Sequence, residues 1–326
     1  MAAAAWLCSL PCGVPAFGTW ARCVDVRPPL ISDRPSCPQL DAILGREYPI
    51  LNHGFVRVVD YMGGDDAVVQ AARVSYGAGT KTVRDDRALI RYLLSHNHTT
   101  PFEMAEIKLH VKMPIFVARQ WIRHRTASVN EYSARYSILD KEYYIPDSEA
   151  LAAQSTSNRQ GRGEALGDTE RSEVVERITE GAEAAYHDYL ALLNMNDEGE
   201  PLDPAKLGLA RELARSVLPV SYYTQWYWKS NLHNLLRFLL LRTDSHAQWE
   251  MRQYALQIAE IVRIWVPQTY EAFVDYQLGR LELSRAATVV VRRWLSGELI
   301  SQAESGLSPR EWTELHRMMG RPETGS

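Results

Sequence analysis

Ile107-Lys108-Leu109-His110-Val111-Lys112-Met113 alternates apolar and polar residues without a break, and Pro114 closes the run. Successive side chains of a strand point to opposite faces, so this segment reads as a half-buried β-strand with its aliphatic side toward a core. Proline suits the first turn of a helix, where no backbone donor is needed, and the pattern predicts a helix from Pro114 to about His124. Upstream, Phe55 to Met62 is rich in β-branched and aromatic residues and reads as a second strand; order is expected to begin near Gly54. Asp65-Asp66 predicts a short helix reaching Arg73, and Asp85 to Ser95 another, with Leu89, Tyr92 and Leu93 on one side.

Downstream the pattern is helical. Gln154 to Glu170 is polar, with scattered Gly and Ser, and reads as a mobile surface insertion. A long amphipathic helix is predicted from Ser172 to Met195, with Val175, Ile178, Ala182, Ala185 and Tyr189 as its stripe. Asp203-Pro204 reads as the start of a helix ending before Pro219. Asn231 to Arg242 is a strongly apolar helix, and Ser245-x-x-Gln248 is a capping-box signal for the next, running to Trp265. Ser308-Pro309-Arg310-Glu311 caps a last helix. Many helices and few strands predict the α+β class.

The composition, 46% hydrophobic and 23% charged over 326 residues, is that of a globular chain, and a net charge of −4 argues against a polymer-binding basic module. Apolar runs such as Leu235 to Leu241 are too short to span a bilayer, so the expectation is a soluble, cytoplasmic protein without a membrane partner. All four cysteines (Cys8, Cys12, Cys23 and Cys37) lie in the first forty residues; no thiolate is available to chemistry carried by the rest of the chain, and their spacing is weak evidence for zinc. Residues 1–47 read as a disordered extension or a start annotated too early, in preference to a targeting segment. Residues 48–285 are the expected catalytic domain, with the insertion at 154–170, and 286–326 a C-terminal helical extension.

The densest polar cluster runs from Arg119 to Arg135, with four arginines, a histidine, a glutamate and several hydroxyls among them. Guanidinium forks match phosphate geometry, and the remaining groups can bond sugar hydroxyls and a base edge, so a nucleotide fits. A solvated basic helix end is the competing reading, and composition alone leaves the two open.

Arg123-His124-Arg125, seven residues, then Ser133 resembles the R-H-R-x7-S signature of the flavin-dependent thymidylate synthases, the ThyX family. The resemblance extends back to Ala71-Ala72-Arg73-Val74-Ser75 and His98-Thr99-Thr100-Pro101-Phe102-Glu103. It continues forward through Arg215-Ser216-Val217-Leu218-Pro219 and Leu241 to Glu250, and spans residues 54–280 in family order. It implies a helix-rich α+β fold around a small, mostly antiparallel central sheet. It also implies reductive methylation of dUMP to dTMP, with FAD, NADPH as reductant and methylenetetrahydrofolate as one-carbon donor, in a homotetramer with shared active sites. The implied FAD contacts are Ser75, Thr100, Arg123, His124, Arg125, Glu131, Asn231, His233 and Arg237, with His98 and Glu103 nearby. The implied dUMP contacts are Gln120, Arg123, Glu131, Tyr132, Ser133, Ala134, Arg135, Arg215 and Arg242, the last also polarising the uracil as the catalytic residue. Some members have arginine and asparagine where this chain has His233 and Arg237; both replacements still donate hydrogen bonds. Three rivals stand beside this reading: a nucleic-acid module using the same arginines with Trp226 to Trp228, a flavoprotein of the same fold acting on another nucleotide, and a catalytically silent interaction protein, against which intact Arg242, Glu131 and Ser133 argue.

Overall fold

The order β1-β2-β3-β7-β4 describes a five-stranded sheet in which every pairing is antiparallel. The computed structural model describes residues 35–74, 85–133, 135–136, 138–147, 150–155 and 161–321. In chain order the first half runs α1 (Pro38–Asp41), β1 (Glu47–Ile50), β2 (Gly54–Met62), α2 (Asp65–Val74), α3 (Asp86–Ser95), a 3₁₀ turn (Thr100–Met104), β3 (Glu106–Pro114), α4 (Ile115–Trp121), β4 (Ser128–Glu131), β5 (Ala152–Gln154) and β6 (Arg162–Ala165). The second half runs α5 (Asp168–Leu193), α6 (Arg211–Ala214), β7 (Tyr223–Asn231), α7 (Leu232–Arg242), α8 (Trp249–Trp265), α9 (Pro267–Phe273), α10 (Arg285–Leu295), α11 (Gln302–Ser305) and α12 (Pro309–Met318). The α+β class holds: a helix-rich chain around a small antiparallel central sheet, with β5 and β6 paired apart from it.

β3 is central, and its alternation does what the pattern asks. Ile107, Leu109, Val111 and Met113 are buried, while Glu106, Lys108, His110 and Lys112 stay partly exposed on the other face. β7 pairs with it over nine residues, from Glu106 opposite Asn231 to Pro114 opposite Tyr223. α4, α7 and α8 cover the apolar face. Trp121, Trp226, Trp228, Phe238 and Tyr254 meet there, with Trp121 and Phe238 stacked at 4.8 Å and Trp121 edge-on to Trp228 at 5.5 Å. Trp226 and Trp228 therefore serve the core, and only Tyr227 of that trio is exposed, so the stacking platform the nucleic-acid reading needs does not exist.

Several boundaries differ from the sequence reading. Ordered structure starts upstream of Gly54: Leu40 of α1 is fully buried, and the Tyr61 hydroxyl accepts from the Cys37 N–H and donates to Asp41, both at 2.6 Å. The expected N-terminal extension thus reaches too far at its C-terminal end; residues 1–34 lie outside the described residues. The helix after Pro114 ends at Trp121, because successive turn bonds (Arg123 N–H to Gln120 and His124 N–H to Trp121) swing the chain toward β4. The polar stretch 154–170 is not one loose insertion: β5 and β6 form a hairpin, and α5 begins at Asp168. The α5 stripe is deeply buried only from Ala182 onward, through Tyr186, Tyr189, Leu190 and Leu193; Val175 and Ile178 are half-buried.

Asp203-Pro204 opens no helix. Asn194, left-handed at the end of α5, bonds the 203–206 turn through its side chain, and Leu209 N–H bonds the Leu192 carbonyl. The chain crosses so close at Gly208 that a Cβ there would lie 1.9 Å from the Leu193 carbonyl oxygen. α8 starts at Trp249 without a side-chain cap; Ser245 does not cap it, and the preceding turn is closed by Asp244 accepting from His246 N–H at 2.7 Å. The Ser308 box at α12 forms as expected, with Glu311 accepting from Ser308 N–H at 2.9 Å. α10 to α12 gather Ala287, Val290, Ile300, Leu307 and Leu315 into a small core of their own.

Gly54, at the β1–β2 turn, lets the buried Tyr254 hydroxyl reach the Lys112 carbonyl at 2.8 Å. A Cβ at position 54 would meet that hydroxyl at 2.0 Å and two backbone oxygens below 3 Å. Gly54→Ala is therefore expected to destabilise the fold by about 3 kcal/mol, as overpacking against fixed backbone does. Urea denaturation checks this, and an unchanged midpoint would contradict it.

Candidate active site

Because β3 runs straight into α4, the turn after α4 is held at the edge of the tryptophan core, and it carries Arg123, His124 and Arg125. α7 brings Arg242 to the same place in its last turn. Arg242 donates from Nε to His124 Nε2 at 3.0 Å, and its NH2 reaches the Gln120 carbonyl at 3.5 Å. The His124 ring stands edge-on to Phe238 at 4.9 Å. Burial, reinforced by the Arg242 charge, holds the imidazole below its ordinary pKa, so a neutral ring nitrogen accepts the guanidinium proton. Burial also lowers Arg242, which remains a cation at any working pH. The Gln120 side-chain amide donates to Gln248, whose own amide donates to Glu250 at 2.9 Å.

β4 delivers the next group. Glu131 accepts from the Thr224 hydroxyl at 2.7 Å, and Tyr132 N–H bonds the Gln225 carbonyl at 2.8 Å, so both are tied to β7. Ser133 accepts from Arg135 Nε at 3.3 Å. A nucleophilic serine would need a base, but the bonded partner of His124 is Arg242, and no hydrogen bond joins His124 to Ser133. Arg215 lies on a separate 3₁₀ turn, where its Nε donates to the Glu212 carbonyl. Burial raises the phenol of Tyr189, its hydrogen bond with the Leu139 backbone lowers it, and the charges of Arg211 and Arg215 lower it while Tyr132 adds to the rise.

A third group lines a groove of about 360 Å³ between α3, the Thr100–Met104 turn and α7. His98, Thr99, His233 and Arg237 supply polar atoms above Leu94, Phe102, Leu236 and Leu240. Burial and the Arg237 charge hold His233 low, against the opposing pull of Glu103. Thr100 starts the adjoining turn. Asn231 sits at the N-cap of α7, its side chain accepting from Asn234 N–H at 2.9 Å. Ser75 and Ala134 lie outside the described residues.

Among the described residues, Arg123, Arg125, Arg135, Arg215, Arg237 and Arg242 form no ion pair, whereas Arg57, Arg73, Arg87, Arg91, Arg162 and Arg171 each hold a carboxylate. A guanidinium without a carboxylate partner keeps its charge available to an anionic ligand. The same residues offer no metal centre: no cluster of three or more His, Cys, Asp or Glu occurs among the described residues. Nor is any described helix long and apolar enough to cross a membrane. Sequence patterning marks Gln248 only as a helix-capping residue and assigns Glu250 and Thr224 no role of their own. The available signal for Glu250 was a carboxylate lying on the buried stripe of α8 with Tyr254 and Ile258.

A family model described as thymidylate synthase complementing protein matches residues 57–268. The chain is 58% identical over 287 residues to the flavin-dependent thymidylate synthase of Anaplasma marginale, covering 87% of this chain and 94% of that protein. It is 56% identical over 284 residues to that of Ruegeria pomeroyi, covering 87% and 91%. Among solved structures, the UMP/dUMP methylase PolB from Streptomyces cacaoi bound with 5-Br UMP superposes with a TM-score of 0.60 at 36% identity, over 70% of this chain and 97% of that one. The matches define an enzyme, a methyltransferase. The chain belongs to the family of flavin-dependent thymidylate synthases.

The His124–Arg242 contact gives a pH prediction. With its pKa held below the ordinary value of about 6.5, His124 contributes stability that is complete above that value. The contribution is lost as pH falls through the lowered pKa, where a second cation appears beside Arg242. In Arg242→Met the histidine pKa should rise yet stay below the ordinary value, since burial is the larger cause. Imidazole NMR titration measures it; an unmoved pKa would refute the coupling.

Proposed function

We propose that this protein methylates dUMP to dTMP, taking the one-carbon unit from methylenetetrahydrofolate and the electrons from NADPH through FAD. The observation that carries this reading is the set of arginines without a carboxylate partner among the described residues, Arg123, Arg215 and Arg242, inside the region matched by the family. The PolB structures, bound with 5-Br UMP and 5-Br dUMP, support a pyrimidine monophosphate as the anion.

In this reading Arg123, Arg135 and Arg215 hold the phosphate, with Ser133, Tyr132 and the backbone at Ala134. Gln120 and Glu131 bond the sugar and neighbouring groups. Arg242 lies against the pyrimidine and stabilises the negative charge that develops on the ring. Neutral His124 and the Gln120 backbone carbonyl orient that guanidinium, leaving its other N–H groups for the ligand. The matched region contains no cysteine, so a thiolate adding to the ring has no source there.

The groove fits a flavin dinucleotide by its donor set: an apolar floor for a planar ring system, and His98, His233 and Arg237 at the rim for diphosphate and ring heteroatoms. Ser75, Thr100, Arg123, His124, Arg125, Glu131 and Asn231 complete the proposed FAD contacts. Bound flavin supplies hydride to the pyrimidine, and the protein supplies position and field. Exposed Leu213 and Val217 flank Arg215, and exposed Leu207 lies upstream; a second subunit covering them would complete the phosphate site, in keeping with a homotetramer that shares its active sites.

The purified protein should be yellow and release tritium from dUMP labelled at carbon 5 when given NADPH and methylenetetrahydrofolate. Failure to take up FAD would overturn the reading; a yellow protein inert toward dUMP would leave a flavoprotein with another acceptor. Arg242→Ala should lower dUMP turnover by about a hundredfold or more while the flavin spectrum persists. Near-normal turnover would remove the ring-polarising role.

A further inference from the structure

Glu250 is a buried carboxylate outside every assigned contact, and all its bonds point one way. Its residue exposure is 3%. Oε1 accepts from the Tyr144 hydroxyl at 3.0 Å and from Arg162 NH2 at 2.5 Å; Oε2 accepts from Gln248 Nε2 at 2.9 Å. Gln248 in turn accepts from Gln120 through its Oε1. The Gln120 backbone carbonyl faces Arg242. A continuous chain of polar contacts therefore leads from β6, through the start of α8, to the two residues proposed to meet the nucleotide.

We propose that Glu250, held by Arg162, is a positioning residue for the nucleotide site, setting the orientation of the Gln248 and Gln120 amides beside Arg242. This rests on the dUMP reading above. The argument is one of donor and acceptor polarity. An ionised carboxylate only accepts, so Gln248 must turn its NH2 toward Glu250 and its carbonyl toward Gln120. Gln120 must then turn its NH2 toward Gln248, which leaves the Gln120 side-chain oxygen, Oε1, as the group presented elsewhere. Among the described residues nothing donates to that oxygen. A half-buried amide pair whose far end is fixed by a buried carboxylate cannot flip without leaving a donor facing a donor. Arg162 supplies the charge that lets Glu250 remain buried, and its guanidinium also lies 5.7 Å from the Trp249 ring.

The hairpin β5–β6 thereby acquires a role at a distance: it supplies the cation that holds the far end of the relay. Removing that cation should loosen nucleotide binding without touching the flavin groove.

The test is dUMP affinity and flavin content of the full-length holoenzyme. In Glu250→Gln the new amide must donate to Gln248, which flips Gln248 and then Gln120 and reverses the presented group. The dUMP Kd should rise about tenfold or more, with flavin content retained. In the double variant Glu250→Gln with Gln248→Glu, the carboxylate moves one step along the relay and again accepts from Gln120, so affinity should recover to within about threefold of the parent. Arg162→Met, at a partly exposed position, should weaken dUMP binding about three- to tenfold and serves if the Glu250 variants fold poorly. Parental affinity in Glu250→Gln and Arg162→Met, or a double variant no better than Glu250→Gln, would overturn the proposal. A parent protein that takes up FAD but binds no dUMP would overturn the nucleotide reading itself, and this inference with it.

Discussion

Trp121 is the fixed point of this structure. Its indole is fully buried between β7, α7 and α8, stacked on Phe238 and met edge-on by Trp226 and Trp228. None of the three indole N–H groups has a hydrogen-bond acceptor among the described residues, so apolar burial and ring geometry hold the cluster. The cost of those unbonded donors, about 1–3 kcal/mol each, is offset by the surface the rings remove from water. Every group of the Arg242 cluster hangs from this point. Gln120 precedes the indole, His124 follows it by three residues, and Arg242 is one turn beyond Phe238.

Electrostatics follow from that packing. The rigid apolar wall dries one side of His124 and Arg242, which lowers the imidazole and leaves a guanidinium with a neutral partner. A guanidinium facing a carboxylate would be neutralised already. Facing a neutral imidazole, it keeps its full charge for a ligand, and the same holds for the solvent-facing arginines at the ends of β4 and α6. The protein thus stores an uncompensated positive field where an anion can relieve it.

Much of this was legible in the chain. β2, β3, α7 and the Ser308-capped helix follow from alternation, apolar period and capping, because in each the local signal and the tertiary demand agree. The failures have particular causes. The 203–219 segment carries a helix-start signal, but it is captured by Asn194 and pressed against the end of α5, a contact no local rule encodes. Ser245 and Gln248 have capping-box spacing, yet Gln248 is committed to Gln120 and Glu250, and the helix starts beyond it. The arginine cluster was readable as an anion site, but whether its members share one pocket was not. Arg215 and Tyr132 lie on separate elements, and both act electrostatically on Tyr189, far away in sequence. The buried pairing of Arg162 with Glu250 was hidden because a polar, glycine-bearing stretch reads as solvated surface.

The topology also carries a consequence for biosynthesis. β3 takes β2 as one neighbour as soon as both leave the ribosome, but its other neighbour, β7, is translated more than a hundred residues later. Until Tyr223 to Asn231 emerge, β3 in the nascent chain has one unpaired backbone edge, and its apolar face of Ile107, Leu109, Val111 and Met113 lacks the cover of α7 and α8, with Trp121 still lacking its lid. Such an edge is a template for pairing with any other unfinished strand. The polypeptide therefore depends, for the time needed to synthesise its middle third, on slow self-association or on cellular factors that shield that edge.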